Sequence, residues 1–100
     1  MISVGGFKVF LSQIEDVLYT HPTVKEALVI GIPDTYMGER PKAFVALNDG
    51  ATADETELRD WVNAQIGKHE RVAAVAIRAA LPKTMIGKLD RKALRAEEGV

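Results

Sequence analysis

One hundred residues, 47% of them hydrophobic, suffice for one domain with its own core but not for one that also buries a large substrate. Thirteen Lys plus Arg against 14 Asp plus Glu leave a net charge of −1, which argues against the broad basic surface of a nucleic-acid-binding protein. The lack of cysteine excludes disulfides, a thiol nucleophile and cysteine-based metal sites and fits a reducing cytoplasm, two histidines are too few for a zinc site, and no apolar run approaches the roughly 20 residues that cross a bilayer.

Phe7 and Val9 flank Lys8 after Gly5-Gly6, in the alternation of an extended segment, so the chain opens on a short hairpin arm. Ser12 and Glu15 have the spacing of a Ser-x-x-Glu capping box, and Ile14, Val17 and Leu18 supply the apolar stripe of a first helix that ends before Pro22. Ala27 to Ile32 is a continuous apolar run closed by Pro33-Asp34, and Ala43 to Leu47 another closed by Asn48-Asp49-Gly50; both read as buried strands, with Asp34 capping its turn. Asp54, Glu55 and Glu57 put negative charge at the start of a second helix, where the macrodipole favours it. Leu58, Trp61, Val62 and Ile66 form that helix's core face, with Trp61 as an anchor and Lys68 near its end.

Val75 and Ile77 alternate with Ala74, Ala76 and Arg78, as in a half-buried third strand, and Asp90 caps a short terminal helix containing Leu94. The expected fold is α+β, a small three-stranded sheet covered by helices, with an N-terminal β-hairpin arm and a C-terminal loop that carries a lysine. The chain contains no internal repeat and no low-complexity segment.

The residues that carry chemistry lie between Leu81 and Leu94. Lys83, Lys88, Arg91, Lys92 and Arg95 oppose only Asp90 between Lys83 and Arg95, a local excess in a chain otherwise balanced in charge. A run of Lys and Arg is most often a solvated helix face. Lys88 stands out because it follows Gly87, which lets the backbone turn tightly, and because a compact ammonium on a flexible stem serves as a point charge for phosphate or carboxylate.

Three stretches occur in an order that resembles one family. Pro82-Lys83-Thr84, Gly87-Lys88-Leu89, Arg91 and Leu94-Arg95 resemble the last core motif of the adenylate-forming superfamily, which includes acyl-CoA synthetases, adenylation domains of nonribosomal peptide synthetases and luciferases. Gly5-Gly6-Phe7-Lys8-Val9, followed by Ile14-Glu15, resembles the motif that opens the superfamily's small C-terminal domain. Gly31-Ile32-Pro33-Asp34 with Gly38-Glu39 is similar to a stretch of acyl-CoA synthetases, and is read here as structural. The sequence departs from the family at Leu11 and Gln13, where Pro and Glu are usual, and at Lys68-His69-Glu70-Arg71-Val72, where Tyr-Lys-x-Pro is usual.

The resemblance implies that residues 1–100 are the mobile C-terminal domain of an acyl-CoA synthetase whose large N-terminal domain, with its Ser/Thr/Gly-rich phosphate loop, is absent. The implied reaction joins a carboxylic acid, expected to be fatty, to ATP and passes the acyl group to CoA, with Mg as metal. ATP, CoA and Mg belong to the full-length enzyme, and the isolated domain is expected to be inactive. The partners are the large domain of the same chain, the carboxylate and CoA, with neither nucleic acid nor a transmembrane segment involved.

The resemblance implies that Lys88, by its position in the motif, is the catalytic lysine of adenylation with Gly87 supporting its loop, and that Gly5, Gly6, Phe7 and Lys8 line the pantetheine tunnel after domain rotation; no residue is assigned to a metal. Glu15 is assigned to the capping box, and Arg91, Lys92 and Arg95 to solvated or interface roles. A rival is a non-catalytic α+β module that meets an anionic ligand or a partner protein through its basic tail. A contiguous upstream phosphate loop would decide between them.

Overall fold

The computed structural model describes residues 2–100. Strands β1 (Ile2–Val4) and β2 (Phe7–Val9) form the opening hairpin, followed by α1 (Leu11–Tyr19). A long antiparallel hairpin of β3 (Val24–Asp34) and β4 (Gly38–Leu47) comes next, then α2 (Glu55–Asn63), a 3-10 turn at Lys68–Glu70, β5 (Val75–Ile77) and α3 (Arg91–Glu97). The chain is α+β, as expected.

The three expected strands are β3, β4 and β5, with β5 parallel to β4 at Ala43↔Val75 and Val45↔Ile77. The opening arm adds two more. Val4 pairs with Gly38, and Ile2, Val4 and Val9 are buried in the main core, so the arm belongs to a five-stranded sheet of order β2-β1-β4-β3 with β5 beside β4.

Continuous apolar runs give strands buried on both faces. Ala27, Val29, Ala43 and Val45 face α1 and α2, packing with Ile14, Leu18, Leu58 and Val62. Leu28, Ile30, Phe44 and Ala46 face the opposite side, where Leu81 and Leu94 cover them with half-buried Leu89 and Ala76. The C-terminal segment is thus the second layer on the sheet. It carries Lys88 on the face away from α1 and α2.

Asp90 caps the terminal helix as expected, accepting from Ala93 N–H at 3.0 Å. Asp54, expected only as negative charge at the start of the second helix, is its N-cap and accepts from the N–H groups of Thr56 (2.8 Å) and Glu57 (3.1 Å). Asp34 accepts from Tyr36 and Met37 N–H and so caps the β3–β4 turn.

The first helix differs. Its N-cap is Phe10, which makes no side-chain cap, and Ser12 lies inside the helix, so the capping box is absent. Glu15 instead accepts from Val29 N–H at 2.8 Å and meets Arg91, charge-assisted contacts stronger than a neutral cap.

Trp61 is half-buried against the rim of the core, edge-on to His21 with ring centroids 4.7 Å apart, so it is not a central anchor. α2 stops at Asn63, which leaves Lys68 in the 3-10 turn beyond it. Among the described residues no helix is long and apolar enough to cross a membrane.

Candidate functional site

The lysine loop is closed by its own backbone. Lys83 and Leu89 bridge antiparallel, Asp90 N–H donates to Pro82 O (2.9 Å) and Thr84 N–H to Lys88 O (2.7 Å). Gly87 N–H donates to Thr84 O at 2.9 Å with Gly87 at φ +83, a conformation that favours glycine. The Thr84 hydroxyl accepts from Lys88 N–H at 3.3 Å. These bonds make a short rigid finger with Met85 and Ile86 exposed at its tip.

The cationic cluster expected from sequence is dispersed by the fold. Lys83 pairs with Glu26 at 2.8 Å and Arg91 with Glu15 at 2.6 Å. Lys88 is exposed, and among the described residues no side chain pairs with its ammonium. Lys92 and Arg95 likewise make no ion pair among the described residues, whereas Arg91 is corrected from a solvated residue to a tether. Its partner lies too far away in sequence for local spacing to reveal it.

Gly5 and Gly6 form the two-residue turn of the first hairpin at φ +56 and +87, both in the region that a type I′ turn requires. Gly5 N–H donates to Met37 O at 2.9 Å, which fixes the turn beside the end of the β3–β4 hairpin. Phe7 is half-exposed and stacks on His69, with centroids 3.6 Å apart and planes at 12°. Lys8 is exposed opposite Ser3.

A cavity of about 340 Å³ opens next to this turn, lined by Val4, Met37, Arg40, Lys68, His69 and Arg71. Arg40, Lys68 and Arg71 make no ion pair among the described residues, so the cavity carries uncompensated positive charge. The sequence reading missed these residues. Its only signal was the departure at Lys68 to Val72, since Arg40, on β4, meets the residues of the 3-10 turn only in the folded chain.

The hairpin packs Ile2, Val4 and Val9 into the α1/α2 side of the sheet, whereas Leu81, Leu89 and Leu94 anchor the lysine finger on the other. Among the described residues no hydrogen bond, ion pair or ring contact joins Lys88 to Gly5, Gly6, Phe7 or Lys8. Two candidate surfaces therefore stand on separate faces. No group of three or more His, Asp or Glu among the described residues is arranged to hold a metal ion.

The profile of the AMP-binding enzyme C-terminal domain matches residues 13–88. The chain belongs to that family. It is 39% identical to the long-chain-fatty-acid–CoA ligase of Bacillus subtilis over 98 residues, which cover 98% of this chain and 18% of that protein. With the acetyl-coenzyme A synthetase of Deinococcus radiodurans it shares 44% identity over 95% of this chain and 15% of that one. ATP-bound MatB from Rhodopseudomonas palustris superposes with a TM-score of 0.90 at 31% identity, covering 97% of this chain and 19% of that one. The chain thus spans under a fifth of the length of these relatives.

Proposed function

We propose that this chain is the mobile C-terminal domain of an acyl-CoA synthetase, and that its two faces serve the two half-reactions in turn. The observation that carries this is Lys88: an exposed ammonium, unpaired among the described residues, on a hydrogen-bonded finger on the face opposite the glycine turn. In the first half-reaction a carboxylate oxygen attacks the α-phosphorus of ATP and pyrophosphate leaves. Lys88 donates hydrogen bonds to the attacking carboxylate and to an α-phosphate oxygen, stabilising charge where it converges. No proton transfer is needed, because a free carboxylate is already ionised at neutral pH.

In the second half-reaction the CoA thiolate attacks the acyl carbon and AMP leaves. Domain rotation withdraws Lys88 and brings in the Gly5–Gly6 turn, whose lack of side chains suits a narrow pantetheine channel. Phe7 and Lys8 border it. Positive charge from Arg40, Lys68 and Arg71 beside that turn suits the phosphates at the nucleotide end of CoA. Mg, which is held by one or two carboxylates and the substrate phosphates, is taken to be bound by the large domain.

The acid we take to be fatty, in line with the Bacillus relative's name, although other relatives are named for acetate and coumarate. The test is acid-dependent ATP–pyrophosphate exchange by the full-length parent over short, long and aromatic acids, followed by addition of CoA. Exchange with one acid class and thioester on adding CoA supports the reading. Failure of every acid to support exchange, with a soluble parent, rejects it in favour of a binding module.

A further inference from the structure

Arg91 opens α3 three residues after Lys88 and reaches back to the edge of the sheet. Its Nη2 donates to Glu15 Oε2 at 2.6 Å and its Nε to Val29 O at 2.9 Å. The same Glu15 oxygen accepts from Val29 N–H at 2.8 Å. Val29 lies opposite Ala43 with both peptide groups turned away from β4, so this ion pair satisfies a free strand edge as another strand would. It also ties α1, on one face of the sheet, to the start of α3, on the other.

The lysine finger is thereby held at both stems. Upstream, Lys83 pairs with Glu26 on β3 and Leu81 is buried. Downstream, Arg91 fixes the first turn of α3 to β3 at Val29. Between the stems the finger is closed by its own hydrogen bonds, so its direction is set where the stems are fastened.

We propose that Glu15 and Arg91 are positioning residues for adenylation: their pair sets the direction in which the finger presents the Lys88 ammonium. The proposal rests on Lys88 being the adenylation lysine. Arginine is required because its planar fork reaches a carboxylate and a carbonyl at once, which the single ammonium of lysine cannot do in the same geometry. A displacement of about 1 Å at a reacting group can cost roughly 10² in rate.

The test uses the full-length parent with Arg91→Lys, Glu15→Gln, the double variant and Lys88→Ala. Both single changes are conservative in size, and Gln retains an oxygen acceptor for Val29 N–H. For each protein, kcat and KM of ATP–pyrophosphate exchange are measured, together with thioester formation from preformed acyl adenylate and CoA. Each single change should lower exchange kcat by about 10- to 100-fold with KM and thioester formation retained. The double variant should lose no more than the poorer single, as expected of residues acting as one unit. Wild-type exchange in both singles, or equal loss in both half-reactions, overturns the positioning role. Normal exchange by Lys88→Ala overturns the assignment of the lysine itself and the positioning role with it, and is read on that variant alone.

Discussion

Glu15 and Arg91, 76 positions apart in the chain, meet at 2.6 Å on the free edge of β3 and share Val29 between them. The Glu15 side chain is only 13% exposed, so removing its partner leaves a mostly buried carboxylate and an unsatisfied Val29 carbonyl. Arg91→Ala should therefore destabilise the protein by about 1–3 kcal/mol. Urea unfolding checks this, and a midpoint within error of wild type would show that the pair is thermodynamically idle.

Gly31 marks a close approach of backbone to side chain. A Cβ there would lie 2.6 Å from Ile2 Cγ2 and 2.9 Å from Glu39 Oε1, so the β1 side chain occupies the space that a side chain on β3 would need. Gly31→Ala should cost about 1–3 kcal/mol through overpacking. For a domain of this size that lowers Tm by roughly 4–8 °C per kcal/mol. An unchanged Tm would mean that the arm moves aside freely.

The glycine turn separates folding from function. A Cβ at Gly5 would meet Met37 Sδ at 2.9 Å, whereas one at Gly6 meets nothing within 4 Å, although both positions have positive φ. Gly6→Ala should cost about 1 kcal/mol of stability from backbone strain alone. In the parent it should slow thioester formation from preformed acyl adenylate at least about tenfold while leaving exchange intact. Equal rates in both half-reactions would remove this turn from the thiol channel.

His69 and the cationic cavity give a binding prediction. His69→Ala removes the ring on which Phe7 stacks, and Arg71→Ala removes one of the three cations that line the cavity beside it. Each should raise KM for CoA by about three- to tenfold, with KM for ATP unchanged and stability lowered by no more than about 1.5 kcal/mol. Titration of CoA in steady-state assays reads this directly. An unchanged KM for CoA in both variants would assign the cavity no part in CoA binding.

The strands were legible because Ala27 to Ile32 and Ala43 to Leu47 are apolar at every position, which a sheet covered on both faces demands. Asp90 was legible as a cap because a cap's acceptor and donor lie within three residues. Glu15 was misread for the complementary reason. Its local spacing fits a capping box, but its partners sit at Val29 and Arg91, and only the packing of α1 and α3 around β3 brings them together. The joining of the arm to the sheet at Val4 and Gly38, and the gathering of Arg40 with His69 and Arg71, are likewise tertiary. Lys88 could be singled out in advance, but the pairing of Lys83 with Glu26 and of Arg91 with Glu15 on either side of it could not.

The central claim is that Lys88 serves adenylation while the glycine face serves thioester formation. Lys88 is exposed and supports no packing, so Lys88→Ala should fold normally. The measurement is carboxylate-dependent ATP–pyrophosphate exchange by the full-length parent, wild type against Lys88→Ala, with both also given preformed acyl adenylate and CoA. The account predicts loss of exchange by at least about 10² with thioester formation retained. Exchange at the wild-type rate in Lys88→Ala would contradict it.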